Sequence, residues 1–118
     1  MAMTKAATTL QASASNAAAG TTTGTAVNLT AAYGGWLTAV ITNGATGPTL
    51  PGTLTVQTSN DNTTYRDAYV FTAGITASTT YTFGVDVPWG TGWIRTKFSG
   101  NTVQAVTIAA EIGAVTAL

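Results

Sequence analysis

The chain has 118 residues, 7% of them charged, and its four basic residues balance its four acidic ones. Four cations cannot form the basic surface that contacts to phosphates require, so nucleic acid is not an expected partner. The sequence contains no cysteine and no histidine, which excludes disulfides, thiol chemistry and zinc sites built on these residues.

This low charge indicates how the surface of the protein is used. The length suits one domain with one core, and about 25% charged residues is usual for a soluble domain. A neutral surface made polar mostly by hydroxyl and amide groups gives weak protection against self-association. We therefore expect a protein that packs against others in an assembly. A very stable secreted domain is the alternative.

The first segment in chain order, residues 1–24, differs in composition from the rest. Its start, MAMTKAATTLQASASNAAAG, lacks the continuous apolar run of a secretory signal, and no part of the chain approaches the roughly 18 apolar residues of a membrane span. We expect synthesis in the cytoplasm and no membrane partner. Residues 8–14 form a weak strand, and residues 16–25 are small and polar. Residues 1–24 are therefore predicted to be a low-complexity N-terminal arm that is flexible in isolation and dispensable for folding.

From residue 25 onward, alternation of apolar and polar residues predicts strands. They cover residues 26–32, 35–43, 52–59, 64–73, 79–87, 92–100 and 102–112, with turns rich in Gly, Pro and Asn between them. Phe83 and Ile94 take inward positions and are predicted to be nearly inaccessible. Trp93, Arg95 and Lys97 share the outward face of their strand.

Seven or eight short strands at intervals of about 8 to 12 residues are typical of two packed antiparallel sheets. The predicted fold is therefore all-β: a single antiparallel β-sandwich of residues 25–118, preceded by the flexible N-terminal arm. The spacing alone does not choose between a jelly-roll and a Greek-key order of strands.

The polar cluster Ser59–Thr64, SNDNTT, lies between two predicted strands and raises the question of a metal site. A calcium loop of the EF-hand type needs several oxygen ligands at fixed spacing and a terminal glutamate, whereas Asp61 is the only carboxylate of this cluster. Asn and Asp tolerate left-handed backbone and bond to their own main chain. The cluster is predicted to be a hairpin turn, with a weak cation site as the alternative, and no metal or cofactor is expected.

The sequence offers no usual catalytic group. General bases and nucleophiles are most often His and Cys, and both are absent. Paired-carboxylate chemistry needs two acids at a set separation, whereas Asp61 and Asp67 bracket one predicted strand and Asp86 and Glu111 lie on different predicted strands. The protein is therefore predicted not to be an enzyme.

The aromatic residues provide candidate binding surfaces. Trp and Arg dominate the energetics of protein interfaces, so Trp93, Arg95, Lys97 and Trp89 are candidate protein contacts. The plainer alternative is a structural role for each Trp. A third interpretation is a platform on which sugar rings stack, formed by Trp36 with Trp89 and Trp93.

Four motifs resemble a known class of proteins. They are YGGWLTAVITNGATGPTLP, VQTSNDNTTY, VPWGTGWIR and GNTVQAVTIAAE. These segments are similar to those of small β-sandwich structural proteins of tailed-bacteriophage virions, and the resemblance covers about residues 25–113. This chain has Asn62 where the pattern usually has Gly, and Tyr65 where Trp is common.

The resemblance implies a place in the virion and no catalytic residues. Its best single assignment is a capsid decoration or cement protein, made in the host cytoplasm, that binds the exterior of the head and bridges subunits of the major capsid protein. Such proteins are commonly homotrimers. A tail or baseplate β-sandwich module is the first alternative, and a carbohydrate-binding module is the second.

Overall fold

The computed structural model describes residues 2–118, which form nine β-strands and, within that range, no helix. The strands are β1 (Thr4–Asn16), β2 (Thr22–Thr23), β3 (Val27–Asn28), β4 (Gly35–Asn43), β5 (Thr53–Ser59), β6 (Arg66–Thr72), β7 (Thr80–Val87), β8 (Trp93–Ser99) and β9 (Val106–Ala117). The described residues contain no helix that could cross a membrane. From β4 to β8 the bounds agree with the predicted strands to within two residues.

The strands form two antiparallel sheets. The first sheet has the order β1-β9-β4-β7 and the second the order β2-β8-β5-β6, with β3 also paired to β8. Because β2 and β3 pair with opposite ends of β8, they act as one interrupted strand. Counted in this way, the eight strands have the order of a jelly roll. The predicted β-sandwich is confirmed, and the jelly-roll alternative is the correct one.

The core lies between the two sheets and follows the alternation of the strands. Its buried apolar side chains include Leu37, Ile41, Leu54, Val56, Ile94, Phe98, Ile108 and Ile112. The prediction for Ile94 is confirmed. Phe83 takes the predicted inward face and stacks on Phe71 with ring centroids 5.4 Å apart, but it is only partly buried. The prediction that it is nearly inaccessible is wrong, because β7 is an edge strand and covers the core incompletely.

β1 contains the weak strand predicted for residues 8–14 and is longer than predicted, Thr4–Asn16, within the stretch that the composition predicts to be an arm. This strand pairs with β9 along its length, and Leu10 is 1% exposed. The Leu10 carbonyl accepts a hydrogen bond from the Thr25 N–H at 2.9 Å. Residues Thr4–Thr9 are exposed, so they lack an alternating pattern. Main-chain pairing to β9 holds them instead, and such pairing leaves no signal in the sequence.

A buried amide pair fixes the end of β1. Asn16 Nδ2 donates to Asn101 Oδ1 at 2.6 Å, and Asn101 Nδ2 donates to the carbonyls of Asn16, Ala17 and Gln104. Both Asn side chains are at most 1% exposed. The pair supplies hydrogen bonds to main-chain carbonyls on both sides of this junction, and it joins the N-terminal strand to the loop before β9.

The place of β1 in the domain is testable with Leu10→Ala. We expect this change to lower the free energy of unfolding by about 2–5 kcal/mol, because it removes a buried side chain and leaves a cavity. The control Thr8→Ala alters an exposed residue of the same strand and is expected to change stability by less than about 0.5 kcal/mol. Urea unfolding measures both. Equal stability of the two variants would mean that β1 is the dispensable arm that the composition predicts.

A second test concerns Thr96, which is 0% exposed and whose hydroxyl has no hydrogen-bond partner among residues 2–118. An unsatisfied buried hydroxyl costs about 1–3 kcal/mol. Valine has the same shape without the polar group, so Thr96→Val is expected to raise the melting temperature or leave it unchanged. A lower melting temperature would indicate that the hydroxyl has a stabilising partner.

Candidate functional site

The cluster at residues 59–64 is the hairpin link between β5 and β6. The Asp61 carboxylate accepts hydrogen bonds from the main-chain N–H groups of Thr63 and Thr64 and from the Ser59 hydroxyl, each at 2.9 Å. Asn62 has a left-handed backbone with φ of 58°, where Asn is tolerated. The turn prediction is confirmed. Within residues 2–118, no three His, Cys, Asp or Glu side chains lie close enough together to hold a metal ion.

These hydrogen bonds predict how stability depends on pH. The N–H groups of Thr64 and Thr63, and then the Ser59 hydroxyl, hold the pKa of Asp61 below its ordinary value of 3.8. Since the folded-state pKa is the lower one, the stabilisation is complete well above pH 3.8 and is lost as pH falls through the folded-state pKa.

We therefore expect Asp61→Ala to lower the melting temperature at pH 7, and the difference from wild type to shrink as pH falls below 3.8. Thermal unfolding across this pH range measures it. Added calcium is expected to leave both proteins unchanged. A calcium-dependent rise in the wild-type melting temperature that Asp61→Ala abolishes would support the cation-site alternative.

The outward side chains of β8 and its neighbours form a surface that we call the second-sheet face: Trp93, Arg95 and Lys97 of β8, Gln57 of β5, and Tyr65 and Asp67 at the β6 edge. Arg95 Nε donates to Gln57 Oε1 at 2.8 Å, and Gln57 Nε2 donates to Asp67 Oδ1 at 2.9 Å. The Gln57 amide thus links a guanidinium to a carboxylate. It provides a hydrogen-bond partner for one N–H of Arg95 and for one oxygen of Asp67.

The ring of Tyr65 packs against one face of the Arg95 guanidinium. Arg95 Cζ lies 3.8 Å from the centroid of the Tyr65 ring, within the range of a cation–π interaction. The alternating pattern puts Tyr65 on the same face as Tyr69 and Phe71, and this expectation is wrong. Ala68 has no partner in β5, and such a bulge exchanges the faces on its two sides.

Trp89 lies apart from the other three candidate contact residues. It is 65% exposed and contacts Tyr33 edge to face, with ring centroids 5.1 Å apart. Both rings line a groove with residues of the first sheet, on the side of the sandwich opposite Trp93. The structure therefore brings Trp93, Arg95 and Lys97 together on one face and leaves Trp89 on another.

This groove, which we call the aromatic groove, has a volume of about 480 Å³. It lies on the outer face of the first sheet, where β4 begins and β7 ends. Its lining includes Tyr33, Trp36 and Trp89, the carboxylates of Asp86 and Glu111, and Lys5. Trp36 is 54% exposed and Tyr33 38%. Of the three Trp residues suggested as a sugar platform, the groove contains Trp36 and Trp89 but not Trp93.

Glycines place the aromatic rings of the groove. Gly34 has φ of 77°, and a Cβ there would collide with the Val87 carbonyl oxygen; a Cβ at Gly35 would collide with that of Gly113. The motif YGGW thus needs both glycines where the chain enters β4 between Tyr33 and Trp36. The motifs YGGW and VPWG were the available sequence signal, but the contact between them is long-range and was not predicted.

The fold is shared with solved structures of low sequence identity. The PBSX exported protein XepA matches 93% of this chain with a TM-score of 0.67 and 13% identity. A structure of the infectious bursal disease virus Gx strain matches 95% with a TM-score of 0.63 and 12% identity. The SPBc2 prophage-derived protein YomS matches 96% with a TM-score of 0.52 and 12% identity.

The extent of these matches differs. This chain spans 37% of the XepA chain and 32% of the viral chain, but 96% of YomS. No protein-family model matches the sequence, and no curated protein matches it. At these identities the likeness is one of fold.

Proposed function

We propose that this protein is a structural component of a tailed-bacteriophage virion, and specifically a decoration or cement protein on the exterior of the head. The observation that carries the proposal is the second-sheet face, which combines Trp93, Tyr65 and Arg95 with a hydrogen-bonded network from Arg95 through Gln57 to Asp67. The motif resemblance supplies the class of virion protein. Jelly rolls are also common in viral capsid proteins, and two of the structures that share the fold, XepA and YomS, are named for PBSX and a prophage.

The second-sheet face is suited to burial against another protein. A buried charge without a partner is strongly destabilising, but Arg95 already bonds to Gln57, which bonds to Asp67. When water is removed, the guanidinium keeps this one hydrogen bond and its contact with the Tyr65 ring, and the partner surface has to supply acceptors for its remaining N–H groups. Trp, Tyr and Arg are also the residues that dominate interface energetics. Lys97 adds a cation at the edge of the same surface, which favours an acidic patch on the major capsid protein.

The flat shape of the molecule suits attachment to the head through one broad face. Its extents are 47 × 31 × 18 Å, so its two broad surfaces are the outer faces of the sheets. A standard interface buries about 800 Å² per partner, a fraction of the 6040 Å² accessible to solvent. One broad face supplies that area and leaves the other free. β6, at the edge of the second sheet, has main-chain groups available to pair with a neighbouring copy, which provides a contact for the proposed homotrimer.

The proposal is tested by mixing the purified protein with phage heads that lack it. We expect saturable binding in co-sedimentation and density on the shell in electron cryomicroscopy. Trp93→Ala and Arg95→Ala are each expected to weaken binding at least about tenfold, because hot-spot residues cost 2 kcal/mol or more when truncated. The matched control is Trp36→Ala, an exposed Trp of the opposite face, which is expected to bind like wild type.

The same experiment identifies a wrong assignment. Density on the tail with a bare shell would favour the tail or baseplate alternative. Undiminished binding of both second-sheet variants, with circular dichroism and melting temperatures like wild type, would show that another surface makes the contact.

A further inference from the structure

We propose that the aromatic groove is a binding site for a neutral oligosaccharide. This inference goes beyond the proposed head attachment and uses the opposite face of the sandwich. It rests on the exposed rings of the groove, on their separation into two stacking surfaces, and on the acceptor character of the polar groups beside them.

Trp36 provides the first stacking surface. The ring lies over β7, where a Cβ at Gly84 would be only 2.7 Å from it, so the glycine lets the indole settle onto the strand. Trp36 is nevertheless 54% exposed. A flat aromatic surface held in place and open to water matches the apolar face of a pyranose ring, which carries C–H groups. Stacking then removes apolar area from water on both partners.

Tyr33 and Trp89 provide the second stacking surface. Their rings are in edge-to-face contact at 5.1 Å, with an interplanar angle of 67°. An aromatic cage for a quaternary ammonium group needs ring faces that surround a cation, and two rings already in contact leave no space between them. With Trp36 as a separate surface in the same groove, the arrangement suits an extended ligand with at least two rings.

The polar lining selects among extended ligands. The carboxylates of Asp86 and Glu111 accept hydrogen bonds and donate none, and both are exposed beside the rings. Sugar hydroxyls are donors that these groups can bind. A proline-rich peptide, which also docks in aromatic grooves, presents mainly carbonyl acceptors and matches them poorly. Two carboxylates against the single Lys5 disfavour an acidic sugar.

The site is also pre-organised. Trp36, Asp86 and Glu111 belong to β4, β7 and β9, which are neighbours in one sheet: Trp36 pairs with Asp86, and the next outward residue of β4, Thr38, pairs with Glu111. Strand pairing fixes the backbone positions of these three residues before a ligand binds, which favours affinity. The volume of about 480 Å³ is in the range of small-ligand sites. On a head-bound protein attached through the second-sheet face, the groove would point to solvent.

The test uses the purified full chain and hexasaccharides of N-acetylglucosamine, β-1,4-glucose, α-1,4-glucose, mannose, xylose and galactose, with choline and a decaproline peptide as comparators. We expect at least one hexasaccharide to bind with a Kd below about 1 mM by calorimetry. In NMR spectra the indole N–H signals of Trp36 and Trp89 should shift. The signal of Trp93, on the opposite face, should not.

Variants test whether sugar binds in the aromatic groove or elsewhere on the surface. Trp36→Ala and Trp89→Ala are each expected to weaken sugar binding at least about tenfold. Gly84→Ala keeps every ring but displaces Trp36, and it is expected to weaken binding as well. Trp93→Ala is the control and should bind sugar like wild type while losing affinity for heads.

Three outcomes would overturn the inference: no binding of any hexasaccharide at about 10 mM, binding that survives Trp36→Ala and Trp89→Ala, or selective binding of choline or the peptide at the groove. Failure of head attachment would leave these sugar measurements unaffected, since the two activities are read in separate assays and with different variants.

Discussion

β9 is paired on both sides, with β1 along one edge and with β4 along the other. Its register with β4 decides which side chains face the core and which face water. In this register Ile108 and Ile112 are buried in the core, and Glu111 between them faces outward to the aromatic groove. A shift of one residue would exchange the two sets. The core and the groove therefore depend on the same strand pairing, and the N-terminal strand is part of it.

The scarcity of charge shapes how polar groups are satisfied. Amide side chains connect the polar groups: Asn16 and Asn101 bond to each other in the interior, and Gln57, only 9% exposed, stands between Arg95 and Asp67. Neutral amides avoid the desolvation cost of buried ions. The network keeps one hydrogen bond on Arg95 and one on Asp67 when another protein covers it, which suits the proposed role in an assembly.

Local patterns were sufficient to predict most of the fold but not how its distant parts meet. The alternation in residues 35–43 matched β4 residue for residue, because one face of each strand is buried. It gave no strand for residues 4–7, whose side chains are exposed, and it put Tyr65 on the wrong face, because a bulge turns that residue to the opposite side. The contact of Tyr33 with Trp89 joins residues 56 positions apart, so it depends on topology that spacing does not encode.

The central claim is that the two broad faces have different tasks, one buried against the head and one left open. Oxidative footprinting of the tryptophans in the head-bound protein tests it directly. We expect Trp93 to be protected on binding while Trp36 and Trp89 are oxidised as in the free protein. Protection of Trp36 and Trp89 with Trp93 still accessible would contradict it.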